Sequence, residues 1–260
     1  MAIITLTSDW GLRSHYVGSV KAAILRNIPD ANIIDITHKI NPFDIMEASF
    51  VLKNAIKGFP EGTIHLIGVN TEGGLDTPHI AVAHEGSYFI GADNGIFSLV
   101  FDNIEKLNAV ELDIMQESDY FTFSTRDVFV QAAKLIADGK KFKDLGSARK
   151  ELTQKLPFKP VIYPKKIVGK VIYIDDYDNV FVNISEDIFK STSKGRAFAI
   201  SFRTYDSEIT RICKAYSDVI PGEKLALFGS SGYLEIAINQ GKAASLLGLV
   251  RNDSVTIEFN

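Results

Sequence analysis

The first 140 residues alternate between short apolar runs and segments with helical spacing. Residues 2–7 (AIITLT) are apolar and β-branched, which predicts a buried strand. Val17, Val20 and Ile24 share one face of a helix predicted over residues 16–27. Similar patterns predict strands at 32–36 and 63–69, helices at 42–56 and 126–138, and a hairpin formed by 80–84 and 88–91. Strands that alternate with helices indicate an α/β domain with a mostly parallel central sheet.

The sequence changes character after residue 140. Lysines become frequent and three prolines are closely spaced, which is typical of a linker, here residues 151–164. Short extended runs with Gly and Asn turns then follow at 167–174, 180–184, 196–202, 224–228, 233–238 and 254–259. We therefore predict an N-terminal α/β domain over 1–150 and a smaller all-β, barrel-like domain over 165–260.

Composition and charge narrow the class of protein. The chain has 260 residues, a formal charge of -4, 46% hydrophobic and 23% charged residues. These values are typical of globular proteins and exclude disordered, collagen-like and disulfide-rich classes. The mild acidity disfavours nucleic acid as a partner. Because there is no signal-peptide pattern, no long apolar run and only one cysteine, Cys213, we expect a cytoplasmic protein without a membrane segment.

The sequence lacks the common motifs that would identify an active site. The five histidines lack zinc-ligand spacing, so no metal site is predicted. The Rossmann, P-loop and nucleophile-elbow glycine motifs are missing. Asp9 follows the first predicted strand, where open α/β sheets bind ligands. Its carboxylate could accept hydrogen bonds from a ribose diol or could cap the next helix, and position alone favours neither.

An ordered set of segments carries a resemblance to a known family. The segments are SDWG (8–11), DITHKINPFDIMEA (35–48), FPEGTIHL (59–66), ADNGIFS (92–98), FTFSTRDVF (121–129), YIDDYDNVFVNI (173–184) and GSSGYLEIAIN (229–239). Together they resemble the S-adenosylmethionine (SAM) hydroxide adenosyltransferases, or SAM hydrolases, which are related to fluorinase and chlorinase. The resemblance implies displacement of methionine from C5′ of SAM by water or hydroxide, which yields adenosine and methionine. It implies no further cofactor, and a homotrimer with the site between subunits.

The resemblance also implies six ligand-binding positions. These are Asp9 for the ribose diol, Phe43 for the adenine face, Asp175 for the methionine amino group, Asn179 for the adenine edge, and Ser230 and Ser231 for the amino-acid end. Each of these positions could instead have a structural role. Phe43 could be a core residue, Asn179 a turn residue, and the two serines a tight turn.

The sequence departs from the family at the Asp-Arg-His set that positions the water. Asn70 replaces the aspartate, Thr77 replaces the arginine and Ser124 replaces the histidine. Thr125 stands at a position where fluorinase contacts fluoride through a hydroxyl group. Loss of a general base typically costs about 10²–10⁴-fold in rate. Asn70, Ser124 and Thr125 are nevertheless the positions at which the resemblance places the nucleophile.

Three functions therefore remain open. The first is hydrolysis of SAM, with a base that could be supplied by one of four other side chains, Glu72, Asp76, His79 or His84. The second is a non-catalytic SAM- or adenosine-binding protein with a degenerate catalytic set. The third is a transferase that uses halide or another nucleophile, with the two hydroxyls as hydrogen-bond donors.

Overall fold

The chain forms two compact units in a computed structural model that describes residues 1–116, 121–202 and 204–260. Unit 1 is Met1–Leu156 and unit 2 is Pro157–Asn260. The division falls inside the segment predicted as a linker, whose role as a linker stays a prediction. In the described ranges, no helix combines the length and the apolarity needed to cross a bilayer.

Unit 1 is built on a seven-stranded mixed sheet. Its strands are β1 (Ile3–Ser8), β2 (Asn32–Thr37), β3 (Ile64–Gly68), β4 (His79–His84), β5 (Ser87–Ala92), β6 (Asn108–Leu112) and β7 (Gly146–Ala148). The order is β2-β1-β3-β5-β4-β6-β7. β2, β1, β3 and β5 are parallel to one another, whereas β4, β6 and β7 pair antiparallel. The predicted α/β domain is confirmed, but its sheet is parallel only on one side.

Helices cover both faces of this sheet. They are α1 (Tyr16–Asn27), α2 (Ile45–Ala55), α3 (Ile96–Val100) and α4 (Val130–Ala137), and a π-helical turn, Thr125–Phe129, precedes α4. The predicted helix over 42–56 began too early, because the Asp44 side chain accepts a hydrogen bond from the Glu47 backbone N–H at 2.9 Å and caps α2. The helix predicted over 126–138 is correct in place, but its first turn is π-helical.

Unit 2 is a nine-stranded, mostly antiparallel sheet. Its strands are β8 (Val161–Tyr163), β9 (Lys166–Ile174), β10 (Val180–Ser185), β11 (Phe198–Phe202), β12 (Thr204–Ile209), β13 (Ile212–Cys213), β14 (Lys224–Phe228), β15 (Tyr233–Ile238) and β16 (Ser254–Phe259). The path runs β12-β11-β16-β9-β10-β15-β14-β13, and β8 pairs with β9. Two short helices, α5 (Glu186–Ser193) and α6 (Ala243–Leu247), accompany the sheet. The unit is therefore mostly β rather than all-β.

Candidate functional site

Asp9 and Phe43 lie together at the carboxyl edge of the parallel strands of unit 1. Asp9 directly follows β1, and its Oδ2 accepts a hydrogen bond from the Phe43 backbone N–H at 2.9 Å. Phe43 has a φ of 66° and its side chain is 72% exposed. A bulky residue with positive φ is strained and such residues cluster at ligand sites. Phe43 is therefore not a core residue, and Asp9 does not cap α1, whose N-cap is His15.

A buried contact between Ser8 and His38, linked to an exposed pair of charged side chains, anchors the end of β1 beside Asp9. The Ser8 hydroxyl lies 2.7 Å from Nδ1 of His38, and His38 Nε2 lies 3.1 Å from Oδ1 of Asp35. Lys21 donates to Asp35 at 2.6 Å. Burial opposes ionisation of Asp35, but the hydrogen bonds from Lys21 and His38 outweigh it and lower the pKa of this carboxyl. No local sequence pattern predicts this network, because Asp35 and His38 come close to the end of β1 only through its pairing with β2.

Trp10 fills the space next to this network. Its ring stacks on His38 with centroids 6.0 Å apart, and it meets the edge of Phe123 at 5.5 Å. Gly68, at the end of β3, lies under the Trp10 ring, because a Cβ at this glycine would stand 2.3 Å from Cζ2 of Trp10. Trp10 thereby links the Asp9 segment to the turn that begins just after Phe123.

We expect Gly68→Ala to destabilise the protein. The added methyl would overlap the Trp10 ring, which is held between two other rings. Overpacking of this kind typically costs about 1–3 kcal/mol of unfolding free energy, measurable by urea denaturation. Gly58→Ala is the control, because nothing lies within 4 Å of its Cβ position. Equal stability of both variants would show that Trp10 has room to move.

Asn70 lies at the same edge of the sheet as Asp9. β1 and β3 are adjacent and parallel, with Ser8 paired to Gly68, so the residues that follow them lie side by side. Asn70 is exposed and has a φ of 48°. Its carbonyl accepts a hydrogen bond from Nδ2 of Asn94 at 2.9 Å, which fixes its backbone without using its side chain.

The four candidates for a displaced base differ in their position. His84 lies at the far end of β4 from His79, because His79 pairs with Ala92 at the carboxyl end of β5 and His84 pairs with Ser87 at its start. In unit 1, His84 is therefore at the opposite edge from Asp9. Glu72 and Asp76 are exposed in the loop between β3 and β4.

His79 is at the correct edge but is already engaged. Its Nε2 lies 3.0 Å from the Thr71 carbonyl oxygen, so this nitrogen carries a proton and donates. Its ring also meets the edge of Phe129, with centroids 5.1 Å apart. Burial lowers the pKa of His79, and the hydrogen bond to Thr71 opposes only part of that shift. Burial thus favours the neutral form of His79, whose ring ties the β3–β4 loop to the π-helical turn.

Ser124 and Thr125 are buried where the π-helical turn begins. Only 3% of Ser124 and 1% of Thr125 is exposed. Within the described residues, the Thr125 Oγ1 has no hydrogen-bond partner. An unsatisfied buried hydroxyl is unfavourable, and π-helical turns occur frequently at functional sites. The neighbouring Phe123 touches Trp10, so the turn lies close to the Asp9 segment.

Asp175 and Asn179 shape the loop between β9 and β10 in unit 2. Asp175 Oδ1 accepts from the backbone N–H of Asn179 at 2.8 Å and of Tyr177 at 3.0 Å, and its Oδ2 lies 3.3 Å from Nδ2 of Asn179. The backbone of Asn179 therefore forms part of a turn, as its structural interpretation predicted. Tyr177, which the sequence analysis did not select, presents an 80% exposed aromatic ring from this loop.

Ser230 and Ser231 occupy a tight turn before β15. The Gly232 N–H donates to the Gly229 carbonyl at 3.0 Å, and the Ser231 hydroxyl accepts from the Tyr233 N–H at 3.2 Å. Ser230 is exposed and Ser231 is half-buried. The turn reading of the serines is therefore correct, and it leaves the Ser230 side chain accessible. In the part of the chain that the structure describes, no group of three or more His, Cys, Asp or Glu could hold a metal ion.

Family models match both units. The SAM hydroxide adenosyltransferase N-terminal domain matches residues 4–146, and the corresponding C-terminal domain matches residues 169–256. A protein named (R)-S-adenosyl-L-methionine hydrolase from Methanocaldococcus jannaschii is 29% identical over 99% of this chain and 96% of its own length. A fluorinase from Nocardia brasiliensis is 25% identical over 98% of this chain and 96% of its own length.

Solved structures share the fold over the full length. An uncharacterized conserved protein from Thermotoga maritima aligns with a TM-score of 0.88 and 33% identity, covering 98% of this chain and 99% of that chain. A conserved hypothetical protein from Thermus thermophilus aligns with a TM-score of 0.75 and 26% identity, covering 99% of this chain and 100% of that chain.

Proposed function

The chain belongs to the SAM hydroxide adenosyltransferase family, and we propose that it hydrolyses SAM to adenosine and methionine. The oxygen of water attacks C5′, the C5′–S bond breaks, and its electron pair stays on sulfur, which leaves as the neutral thioether of methionine. The water loses one proton to the solvent or to a base. Four relatives at 27–29% identity are named (R)-S-adenosyl-L-methionine hydrolase, so we propose the (R) epimer at sulfur as the preferred substrate.

The observation that carries this proposal is the pairing of Asp9 with Phe43. A carboxylate has two oxygens with about four acceptor sites, and the Phe43 N–H uses one of them on Oδ2. The remaining sites suit the two hydroxyls of a ribose. The exposed Phe43 ring, held beside this carboxylate in a strained conformation, suits the face of an adenine.

Unit 2 would supply the other half of the ligand site. Asn179 offers an amide for the adenine edge, the exposed ring of Tyr177 offers a stacking surface, and Asp175 offers a negative charge for the methionine amino group. We propose that the Ser230 and Ser231 turn binds the amino-acid end, and that the two halves come from different subunits of a homotrimer with a barrel-like second domain. Light scattering at enzyme concentrations used for assay tests the trimer, and a monomeric active enzyme would exclude it.

Hydrolysis at this site would rely on positioning rather than on a strong base. Asn70 is neutral, and His79 is held as a proton donor to Thr71. A sulfonium is already an activated leaving group, so orientation of the water and exclusion of bulk solvent could supply much of the rate. The buried hydroxyls of Ser124 and Thr125 would orient the nucleophile.

Incubation with purified (R)- and (S)-SAM, followed by chromatography, tests the proposed reaction. We expect adenosine and methionine in equal amounts, faster from the (R) epimer and above the uncatalysed rate. The same assay with chloride separates the alternatives. A halo-adenosine would identify a halide transferase, and tight SAM binding in calorimetry without any product would identify a binding protein.

The Thr125 hydroxyl, which has no hydrogen-bond partner among the described residues, favours halide transfer as the second candidate. A halide requires no base, only hydrogen-bond donors in a dry pocket. The Thr125 Oγ1 is a fully buried donor without a partner in the described residues. This observation is consistent with hydrolysis as well as halide transfer, since a water molecule could accept the same hydrogen bond.

We expect Thr125→Val to lower the rate of product formation while preserving stability. Removal of an unsatisfied buried hydroxyl does not weaken the fold, whereas the nucleophile loses its donor. The rate should fall by about tenfold, which corresponds to one hydrogen bond of about 1.4 kcal/mol. Thr125→Ser retains the hydroxyl and should retain most of the activity. A fully active, stable valine variant would exclude a contact between Thr125 and the nucleophile.

A further inference from the structure

Glu235 is a buried carboxylate that lies beneath the second half of the candidate site. It is on β15, four residues after Ser231, and only 3% of it is exposed. Its neighbours Leu234 and Ile236 point into the main core of unit 2, so Glu235 points to the other face of the sheet. A Cβ at Gly229 would stand 3.3 Å from Oε2 of Glu235, which places the carboxylate directly against the start of the serine turn.

The neighbours of Glu235 include a hydrogen-bond donor and another carboxylate. The Tyr216 hydroxyl donates to Oε1 at 2.6 Å. Among the residues that the structure describes, no Lys or Arg forms an ion pair with Glu235. Burial raises the pKa of the Glu235 carboxyl, the Tyr216 hydrogen bond opposes this rise, and the negative charge of Asp175 adds to it. A buried carboxylate beside a like charge is unfavourable unless a cation compensates it.

We propose that Glu235 is a specificity-determining residue that, together with Asp175, selects a ligand with a positively charged amino-acid end. The inference rests on the proposed function, because SAM carries an ammonium and a sulfonium where Asp175 and the serine turn would hold it. The cation that Glu235 lacks among the described residues is then supplied by the ligand. Adenosine has neither cationic group, so its binding does not depend on Glu235.

Calorimetric titration of Glu235→Gln with three ligands tests this role. Gln has the same size and can still accept the Tyr216 hydrogen bond, but it has no charge. We expect SAM to bind about tenfold more weakly, since the neutral amide no longer attracts the positive charges of the ligand across a partly buried site. S-adenosylhomocysteine, which has no sulfonium, should lose less affinity, and adenosine should lose none. Glu258→Gln is the matched control, because Glu258 is exposed on β16 of the same unit.

The thermal stability of the same variant separates a functional from a structural role. If Glu235 serves binding and costs stability, removal of its buried charge should make the protein more stable. Glu235→Gln should therefore unfold at a higher temperature than the wild type. An equal loss of SAM and adenosine affinity, or no loss of either, would overturn the inference.

Two further results keep this test distinct from that of the proposed function. If the wild-type protein binds no SAM, the proposed function itself fails. If Glu235→Gln does not fold, Tyr216→Phe replaces it, because loss of the hydrogen bond at 2.6 Å should misplace the carboxylate and weaken SAM binding selectively. Tyr216→Phe with unchanged selectivity for SAM over adenosine would then overturn the inference.

Discussion

Asp9→Ala is expected to weaken the binding of adenosine and of SAM by about 1–3 kcal/mol, or about 5- to 150-fold in Kd. The substitution removes the acceptor for the ribose diol and the partner of the Phe43 N–H at 2.9 Å. Phe43, whose positive φ is maintained by its surroundings, should then lose its fixed position. Both effects act on the nucleoside part, so the two ligands should lose similar affinity. Calorimetry with each ligand measures the change.

Asp9→Asn separates the two contributions of this carboxylate. An asparagine oxygen can still accept from Phe43, but the amide offers the ribose one acceptor and one donor in place of two acceptors. This variant should therefore retain the loop and lose only the diol contact. Asp30→Ala serves as the control, since its contact with the N-terminus is exposed and contributes little. Unchanged adenosine affinity in Asp9→Ala would refute the assignment.

Substitutions at Asp9 and at Glu235 should affect the binding of different parts of SAM. Asp9 should affect every ligand that has a ribose, whereas Glu235 should affect only ligands that have the cationic amino-acid end. The ratio of SAM to adenosine affinity is thus expected to stay constant in Asp9→Ala and to fall in Glu235→Gln. This contrast tests the orientation of the ligand without a bound structure.

Local patterns were sufficient to predict most regular elements. The helix over Tyr16–Asn27 and the strands Lys224–Phe228 and Tyr233–Ile238 have the predicted bounds, because periodicity and turn residues agree there. α5 was missed, although Ser185 followed by Glu186 and Asp187 is a readable helix start and the Ser185 side chain accepts from the Ile188 N–H. β6, β7 and β8 were missed because they are short and lack strong alternation.

The sequence could not predict the features that depend on backbone conformation or on distant partners. The exposed, left-handed Phe43 lies in a segment whose apolar residues indicated a longer helix, and the Asp44 cap decided the outcome. Among the described residues the Thr125 hydroxyl has no hydrogen-bond partner, because the π-helical turn and the surrounding core bury it, which no local pattern reveals. From the sequence, Glu235 is one more polar residue in an alternating strand. Only the structure shows that Tyr216 and Gly229 lie beside it.

The aspartate that the family resemblance implies at position 70, where this chain has asparagine, should be restorable by one substitution. Asn70→Asp changes one atom of an exposed side chain, and aspartate tolerates the left-handed backbone that Asn70 adopts at a φ of 48°. The Asn94 side chain donates to the backbone carbonyls of Val69 and of residue 70, which the substitution leaves in place, so the loop should not move. If the enzyme hydrolyses SAM by positioning alone, an added base should raise kcat by about 10²-fold, the lower end of the usual range.

The restored base is expected to act on the rate and not on binding. KM for SAM should stay constant in Asn70→Asp, because the aspartate would accept a proton only as water attacks C5′. Thr77→Arg, added to this variant, would supply the guanidinium from a half-buried position and would remove the hydrogen bond that the Thr77 hydroxyl donates to the Glu72 carbonyl at 3.2 Å. A histidine at Ser124 is not included, because that side chain is only 3% exposed and a larger ring would overfill the π-helical turn. Asn103→Asp, at an exposed turn, controls for the added charge. Unchanged kcat in both variants would mean that the nucleophile is not activated at Asn70, and the two buried hydroxyls would remain as its only proposed contacts.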